Sequence, residues 1–588
     1  MSALLAALAG AFSLTRIQSY DYWWQLRTGR WIVENGAVPF EDVYTYTVPG
    51  AAYLDIHWLH QLGLHAVHSL AGHGGIVVAK FVLVLLVLGL AGSIGWRRER
   101  AAVSGVALGL MLALASERFL PRPELPSFVL LAAIAWLLER DRRPGAGPYA
   151  WGVVAVQLVW TNLHGLFAVG IAFVGLHLAG EILDGFVARH FDRARCRRLF
   201  GVLLASLAMA FVNPNGVDGA LYPLLQFGMI GPDTAGAGWV VELERFFGPT
   251  AHPLQQAVAV ALCGLTLAAL VANRRRLEAR DALVFGAFLF LALSARRNLA
   301  LFAIAVAPIL VRNAHAWLDT RPPARGLSRV AAGLTVTLLL VGTIDAARGE
   351  LSRRLGWARS HGLGIAERTY PEGALAWIER ERPEGPIFHH MSDGGYLLFH
   401  LFPEYRVMMD GRLEVYGHET FQRFNTAEPA GFARLNEQYG FGVVLLAFRN
   451  NFYDALVTKL YTSPQWKLVF VDDMSVVFVP SDTRHGRLDP KDPDFFPPLE
   501  GQRPDEAALT LHSRIRLLMA LQRPGDALAL WEANADSHPS FAEQPWVHVG
   551  LLIRAGRLDE ARGRHLDAVS AGPHEPKRLQ ALALLARA

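Results

Sequence analysis

The sequence predicts a multi-pass α-helical membrane protein of about eleven spans, followed by an extracytoplasmic α/β domain and a C-terminal α-helical repeat tail. Three observations predict it. The 588 residues are 52% hydrophobic and only 18% charged, where a soluble chain is nearer about 25% charged, and the mean hydropathy is +0.25. Apolar runs of roughly 14–22 residues, the length that crosses a bilayer core, recur through the first 346 residues. Linkers of one parity carry Arg clusters, while the others carry Asp, Glu, His, Asn and a few single Arg residues.

Backbone exposed to lipid must satisfy its own hydrogen bonds, so these runs are read as helices. They lie near 1–14, 75–96, 101–116, 125–139, 150–163, 166–183, 199–212, 253–272, 281–294, 298–311 and 329–345. The linkers RRER (97–100), ERDRRPG (139–145), 184–198, NRRRLEAR (273–280) and 312–329 hold about nineteen basic residues. The alternate set, 15–74, ERFLPRPE (117–124), 213–252 and ARRN (295–298), holds roughly eight over more residues. The first set is therefore read as cytoplasmic, and everything after about residue 346 as extracytoplasmic. Residues 1–14 lack a basic n-region, which disfavours a cleaved signal peptide.

Two cysteines, Cys196 in a cytoplasmic linker and Cys263 inside a span, cannot pair and show no metal spacing. A large external domain without disulfides suggests a bacterial or archaeal cell, with the chain in its inner (cytoplasmic) membrane. The pI near 9.0 reflects the cytoplasmic Arg clusters, so it gives no argument for nucleic acid.

Within 347–480, PIFHHM, YRVMMD, FGVVLLAF, KLVFVDD and SVVFVP read as strands. LEVYGHETFQRF and FYDALVTKLY read as helices between them, giving an α/β domain. Residues 481–503 are a Pro- and Asp-rich linker. In 504–588, LLMALQRPGDALALWEANADSHP aligns with LLIRAGRLDEARGRHLDAVSAGP at an offset of 34, since 557 − 523 = 34. That is the tetratricopeptide period. Two repeats are few for independent stability, so the tail is expected to lean on the α/β domain.

The outer linkers hold the residues suited to chemistry. Asp21 follows the first span, where a carboxylate needs a cation, a metal or a substrate; pairing with Arg27 or Arg30 is the alternative. His57, His60, His65 and His68 recur at helical spacing, and lipid headgroups or loop backbone account for them better than a metal. Arg118 and Arg122 suit phosphate, unless Glu117 and Glu124 neutralise them. Asn162 and His164 sit at an outer span end, either as a cap and turn or as hydrogen-bonding groups for a sugar. Arg296 and Arg297 stand at the mouth of two spans without an acidic neighbour in sequence, a place that attracts a phosphate or pyrophosphate; headgroup snorkelling is the alternative. Asp410 and Arg412 close a strand, where α/β domains present functional groups, or form a salted turn.

The run DYWWQLRTGRWIVENGAVPFED with the following Pro49-Gly50 resembles the first external loop of the oligosaccharyltransferase catalytic subunit. More broadly it resembles the GT-C superfamily of polyprenyl-linked glycosyltransferases. The resemblance implies a GT-C-like membrane domain over 1–346, with Asp21 catalytic as general base or as ligand of a divalent cation, Mg or Mn. Asp42 closes the same motif as a second acidic candidate. It implies a mobile loop at 213–252 that covers substrate and contributes Glu242 or Glu244. RRNLALF resembles the family's donor-pyrophosphate Arg site, and Asp393 and Tyr396 resemble the remnant of an acceptor-reading W-W-D-Y-G. Both tryptophans of that motif are missing, and ERFLPRPE lacks the family's acidic D-x-D-like motif. The acceptor is therefore not fixed as an Asn sequon, and no metal requirement follows.

The function expected is transfer of a sugar or oligosaccharide from a polyprenyl (pyro)phosphate donor to an extracytoplasmic protein or polysaccharide acceptor. The chain shows no nucleotide-binding Gly-rich loop, which argues against a sugar-nucleotide donor. The runner-up is a non-catalytic anchor in contact with membrane lipids, recruiting an envelope protein partner through the C-terminal repeats. A transporter ranks last, because ionisable residues deep in the spans are almost absent.

Overall fold

The computed structural model describes residues 1–143, 145, 147–229, 244–248, 252–448, 452–492, 494–499, 504–535 and 545–570. The chain forms two compact units, Met1–Val43 with Gly50–Ala366, and Tyr44–Pro49 with Glu367–Ala588.

The first unit is helical. Its helices are α1 Ser2–Ser13, α2 Asp21–Asn35, α3 Trp58–Ser93, α4 Ala101–Ala115, α5 Glu124–Asp141, α6 Gly152–Thr161, α7 Phe167–Ala188, α8 Arg193–Met209, α9 Gly216–Met229, α10 Pro253–Ala272, α11 Ala279–Ser294, α12 Leu299–Thr320, α13 Arg325–Ala347 and α14 Glu350–Arg354. A helix lies over every apolar run read from the sequence. Among the described residues, six helical stretches are long and apolar enough to cross a membrane: Trp58–Ser93, Arg98–Arg118, Phe167–Ala188, Pro253–Ala272, Arg296–Thr320 and Arg325–Ala347. Ser2–Ser13 and Tyr149–Thr161 are shorter apolar helices. The chain is a multi-pass membrane protein.

α12 is the central helix. Every residue from Leu299 to Val311 is buried, and α4, α5, α10 and α11 pack against it. Its alternating Ala residues let neighbouring backbones come close. α13 shows the opposite pattern, with Leu334, Leu338 and Val341 exposed on an apolar surface suited to lipid.

The 36 residues of α3 are two helices merged across Gly72, whose φ of 60° and ψ of −162° are not helical. Glycine tolerates this conformation without a Cβ penalty. The break falls just before the apolar run that begins near residue 75. α2 ends at Gly36, which caps it in the left-handed region at φ 65°. Much of α2 is buried against α3. Gly29 allows the contact, since a Cβ there would lie 2.0 Å from Gln61 O.

At the opposite helix ends, the Arg clusters are paired as well as positive. Arg195 and Arg198 meet Asp141 at 3.3 and 3.0 Å. Arg280 and Arg312 meet Glu139 at 3.1 and 2.9 Å, and Arg312 also pairs with Asp281. The first unit continues past α13, because Gly362 N donates to Leu14 O at 3.1 Å and Ile17 bridges to Ile365.

The second unit holds α15 Glu372–Glu381, β1 Ile387–Phe388, α16 Met391–Leu401, α17 Leu413–Phe424, α18 Pro429–Tyr439, β2 Val443–Ala447, α19 Asp454–Thr462, β3 Trp466–Val471 and β4 Ser475–Pro480. The strands form one sheet in the order β1-β2-β4-β3. β1 and β2 are parallel, and the other pairs are antiparallel with an irregularity between Leu468 and Phe470. All five β2 residues are buried, as a strand covered on both faces requires. YRVMMD, expected as a strand, is not one. Val407 forms only an isolated bridge with Thr45, and its neighbour Met408 N donates to His389 Nε2 at 2.9 Å. A side chain thus replaces a ladder partner.

The tail contains α20 Pro504–Ala520, α21 Pro524–Asn534, α22 Pro545–Arg554 and α23 Leu558–Ser570. Leu511, Ile515, Leu518, Leu528, Trp531 and Leu552 share one core. Thr458 of α19 donates to Ala520 O at 2.6 Å, and Arg514 donates twice to Asp473 Oδ1 at 2.9 and 2.7 Å.

Candidate functional site

Asp21 is the first residue of α2, where a carboxylate favours the positive helix end. Its Oδ2 pairs with Arg122 Nη2 at 3.1 Å, and Trp24 Nε1 donates to its Oδ1 at 3.3 Å. Arg122 also donates to Ser19 Oγ at 2.9 Å, so one guanidinium grips both sides of the turn into α2. The alternative partners read from sequence are taken elsewhere. Arg27 and Arg30 both bind Glu34, at 3.0 and 2.7 Å, and these contacts hold the Glu34 carboxyl below its usual range despite an opposing desolvation effect.

The loop before α5 supplies two further charges, Glu117 and Arg118. Arg118, 5% exposed, pairs with Glu124. Glu117 pairs with Arg296 Nη2 at 3.0 Å and accepts from Gln255 Nε2 at 2.6 Å. Arg296 is therefore not a cation awaiting an anion: its acidic neighbour comes from another linker. It is 5% exposed, and its backbone N–H donates to Glu244 O at 2.9 Å. Arg297, next in sequence, lines a small cavity with Glu124, Phe128, His164, Leu166 and Leu301.

His164 stands in the turn between α6 and α7, and its Nδ1 lies 3.0 Å from Ser127 Oγ. Its ring is 5.4 Å from that of His57, which lies 6.5 Å from that of Trp24. Trp24 in turn touches Asp21, so an aromatic wall joins the two ends of the site. Burial pushes the His57 imidazole down to about 4. His164 is pushed well below its ordinary range, first by burial and then by His57, Arg297, His60 and Arg118.

Asn162 is a bracket rather than a free hydrogen-bonding group. Trp58 Nε1 donates to its Oδ1 at 3.1 Å, and its Nδ2 donates to Leu158 O and Val212 O at 2.9 and 2.8 Å. These bonds use its amide within the protein. Asp42 is 3% exposed at the neck of the hairpin closed by the Glu41–Ala52 bridge, a poor position for a catalytic carboxylate. Glu242 lies outside the described residues.

The second-unit candidates are buried. Asp410 and Arg412 are both 0% exposed and form a bidentate pair, with Nε–Oδ1 at 2.9 Å and Nη2–Oδ2 at 2.7 Å. Arg412 lies over the Tyr44 ring at 4.7 Å. Asp393 is 0% exposed within α16, and Tyr396 stacks on Tyr370 at 5.0 Å. Neither presents a surface that reads an acceptor.

The resemblance implies a divalent cation. Among the described residues, no group of three His, Cys, Asp or Glu side chains is placed to hold one, and Asp21 is flanked by a guanidinium and an indole. Among the described residues the donor set does not fit such an ion. Sequence reasoning missed Ser127 and Gln255 altogether, because a serine or glutamine inside an apolar run carries no spacing signal.

No protein-family model and no curated protein matches the sequence. Solved structures do. The chain is similar to the oligosaccharyltransferase AglB from Archaeoglobus fulgidus in complex with an inhibitory peptide and a dolichol-phosphate, with a TM-score of 0.54 at 12% identity over 76% of this chain and 69% of that one. The apo form of the Archaeoglobus fulgidus oligosaccharyltransferase gives 0.50 at 12% identity, over 78% of this chain and 70% of that one. ArnT from Cupriavidus metallidurans bound to undecaprenyl phosphate gives 0.49 at 16% identity, over 83% of this chain and 98% of that one. The chain shares the fold of the archaeal oligosaccharyltransferase, with a sequence far diverged from it.

Proposed function

We propose that this protein is an integral-membrane glycosyltransferase that moves a sugar or oligosaccharide from a polyprenyl (pyro)phosphate donor to an extracytoplasmic acceptor. The observations that carry the reading are that Asp21 pairs with Arg122 and that His164 and Arg297 line one cavity, side chains drawn from four separate linkers of one parity. Spans alone do not require charged groups to gather at their ends, and a charge there is costly unless it is used or paired. The fold likeness to an oligosaccharyltransferase supports the same class of reaction, although fold alone never fixes chemistry.

In this reading the leaving phosphate gathers charge as the glycosidic bond breaks, and Arg297 stabilises it. Arg118 and Arg296, already neutralised, shape the site around it. Asp21, fixed by Arg122, accepts the proton of the acceptor nucleophile or orients that nucleophile. The site faces away from the cytoplasm of a bacterial inner membrane. The second unit, with its α/β sheet and tetratricopeptide-like tail, presents the protein or polysaccharide acceptor.

The test is a strain lacking the chain. The expected outcome is loss of one surface glycan together with build-up of its polyprenyl-linked precursor, both read by mass spectrometry. Unchanged glycans and lipid-linked precursors, with loss of an envelope assembly on removing only residues 504–588, contradict this reading and favour an anchor that recruits a partner.

A further inference from the structure

The second unit carries a cavity that the proposed reaction does not use. It measures about 720 Å³, within the range of about 300–1,000 Å³ that ligand sites occupy. Every residue lining it belongs to that unit.

Its wall is built on one short turn. Residues 383–386 lead from α15 into β1, and Gly385 turns there at a φ of 92°, a conformation open to glycine. Two tyrosine hydroxyls clamp this turn at its two ends. Tyr405 Oη donates to Pro383 O at 2.8 Å, and Tyr46 Oη donates to Ile387 O at 2.8 Å. Tyr46 arrives from the first external loop, and its backbone N–H donates to Val407 O at 3.2 Å. Its ring also meets that of Tyr439 edge-on at 5.6 Å. Both clamping tyrosines line the cavity, half-buried. Rings fixed in this way cost little further ordering when a ligand arrives.

The rim is polar and of mixed sign. Glu379, Glu384 and Glu404 stand there with Arg382 and Arg406, all exposed. Among the described residues none of them enters an ion pair. These charges decide the chemistry of the ligand. A cationic peptide would satisfy the carboxylates and face two guanidiniums, and an anion would do the reverse. A hydroxyl both donates and accepts, so one polyol meets both sets through charge-assisted hydrogen bonds. The tyrosine rings add apolar faces with a polar tip, on which the C–H side of a pyranose ring can lie. Hydroxyls in series along C–H faces describe an oligosaccharide.

We propose that this cavity holds an oligosaccharide segment of the acceptor, its ring faces on Tyr46 and Tyr405 and its hydroxyls on the charged rim. The acceptor role rests on the proposed glycosyltransferase reading; the saccharide binding does not.

The test uses the full chain purified in detergent. The probe is the pool of oligosaccharides released by mild acid from the envelope of the native cell and labelled with a fluorophore. Oligolysine is the peptide competitor. The expected result is saturable binding of the labelled pool, displaced by the unlabelled pool and not by oligolysine. Glu404→Ala combined with Arg406→Ala removes two exposed, unpaired side chains, so the thermal midpoint should not change. Binding should weaken about tenfold or more, the loss of charge-assisted bonds. Tyr405→Ala should lose about tenfold, while Tyr405→Phe, which keeps the ring, should stay within about threefold of the native chain. No binding by the native chain, or native affinity in the Glu404/Arg406 double variant, overturns the site. Displacement by oligolysine overturns the saccharide class, and equal loss in Tyr405→Phe and Tyr405→Ala overturns the part played by the ring face. If the native chain binds no saccharide although its deletion strain loses a surface glycan, this site falls and the enzyme reading stands. If the deletion strain keeps every glycan, the acceptor role falls and the binding site stands.

Discussion

Asp21 and Arg122 are 101 residues apart in sequence and 3.1 Å apart in space. Their pairing locks the start of α2 to the loop that leads into α5. Arg122 also holds Ser19 at 2.9 Å, so the Asp21 carboxylate is approached from a fixed side. Both side chains keep some access, at 30% and 20% exposure, whereas the other two pairs of the site are closed around Arg118 and Arg296.

Arg122→Ala separates positioning from folding. A half-exposed pair contributes about 0–1 kcal/mol to stability, so the amount of protein in the membrane should not change. Surface-glycan yield should fall about tenfold to a hundredfold, as a misplaced catalytic group costs. Arg122→Lys keeps the charge without the forked geometry and should fall between. A full native yield in Arg122→Ala contradicts a positioning role.

Arg412→Ala tests the reassignment of the Asp410–Arg412 pair. Removing one partner of a buried pair strands the other and costs about 3–5 kcal/mol. The second unit should melt at a lower temperature or be cleaved by protease in the folded chain. Unchanged melting with loss of acceptor binding restores the ligand-binding role expected from sequence.

Gly29→Ala probes the α2–α3 contact. The added Cβ would meet Gln61 O at 2.0 Å, and backbone cannot rotate away as a side chain can. Overpacking of this kind costs about 1–3 kcal/mol. A lower thermal midpoint in detergent is expected, and an unchanged midpoint contradicts the close approach.

Buried histidines give the first unit a pH dependence. His57 is pushed down to about 4 by burial, while an unfolded histidine titrates near about 6.5. As pH falls between these values the unfolded state gains a proton that the folded state refuses, so stability falls. The thermal midpoint should drop from about pH 7 to about pH 5, and His57→Gln should flatten the drop. A midpoint that rises on acidification, or a slope unaffected by His57→Gln, contradicts this.

The helices were legible because an apolar run in a membrane has one permitted backbone form, and each expected span has its helix. FGVVLLAF, KLVFVDD and SVVFVP announced β2, β3 and β4 through β-branched and aromatic residues. YRVMMD carried the same signal, but Thr45 and His389 took its pairing groups. The site was legible by residue type and not by partner. Arg296 looked unneutralised because its acid, Glu117, lies on another linker. The Arg clusters read as topology marks, while Asp141, Glu139 and Asp281 pair with them across helices. Local spacing cannot report such pairs, since they exist only after the helices assemble.

The most direct test of the account is Asp21→Asn in the native cell, with protein level confirmed and surface glycans and glycoproteins profiled by mass spectrometry beside a strain lacking the chain. The account predicts that the point variant loses the same glycan as the deletion, because the amide keeps the shape of Asp21 but neither its charge nor its basicity. A variant with a full native glycan profile, where the deletion has lost one, contradicts the catalytic role of Asp21.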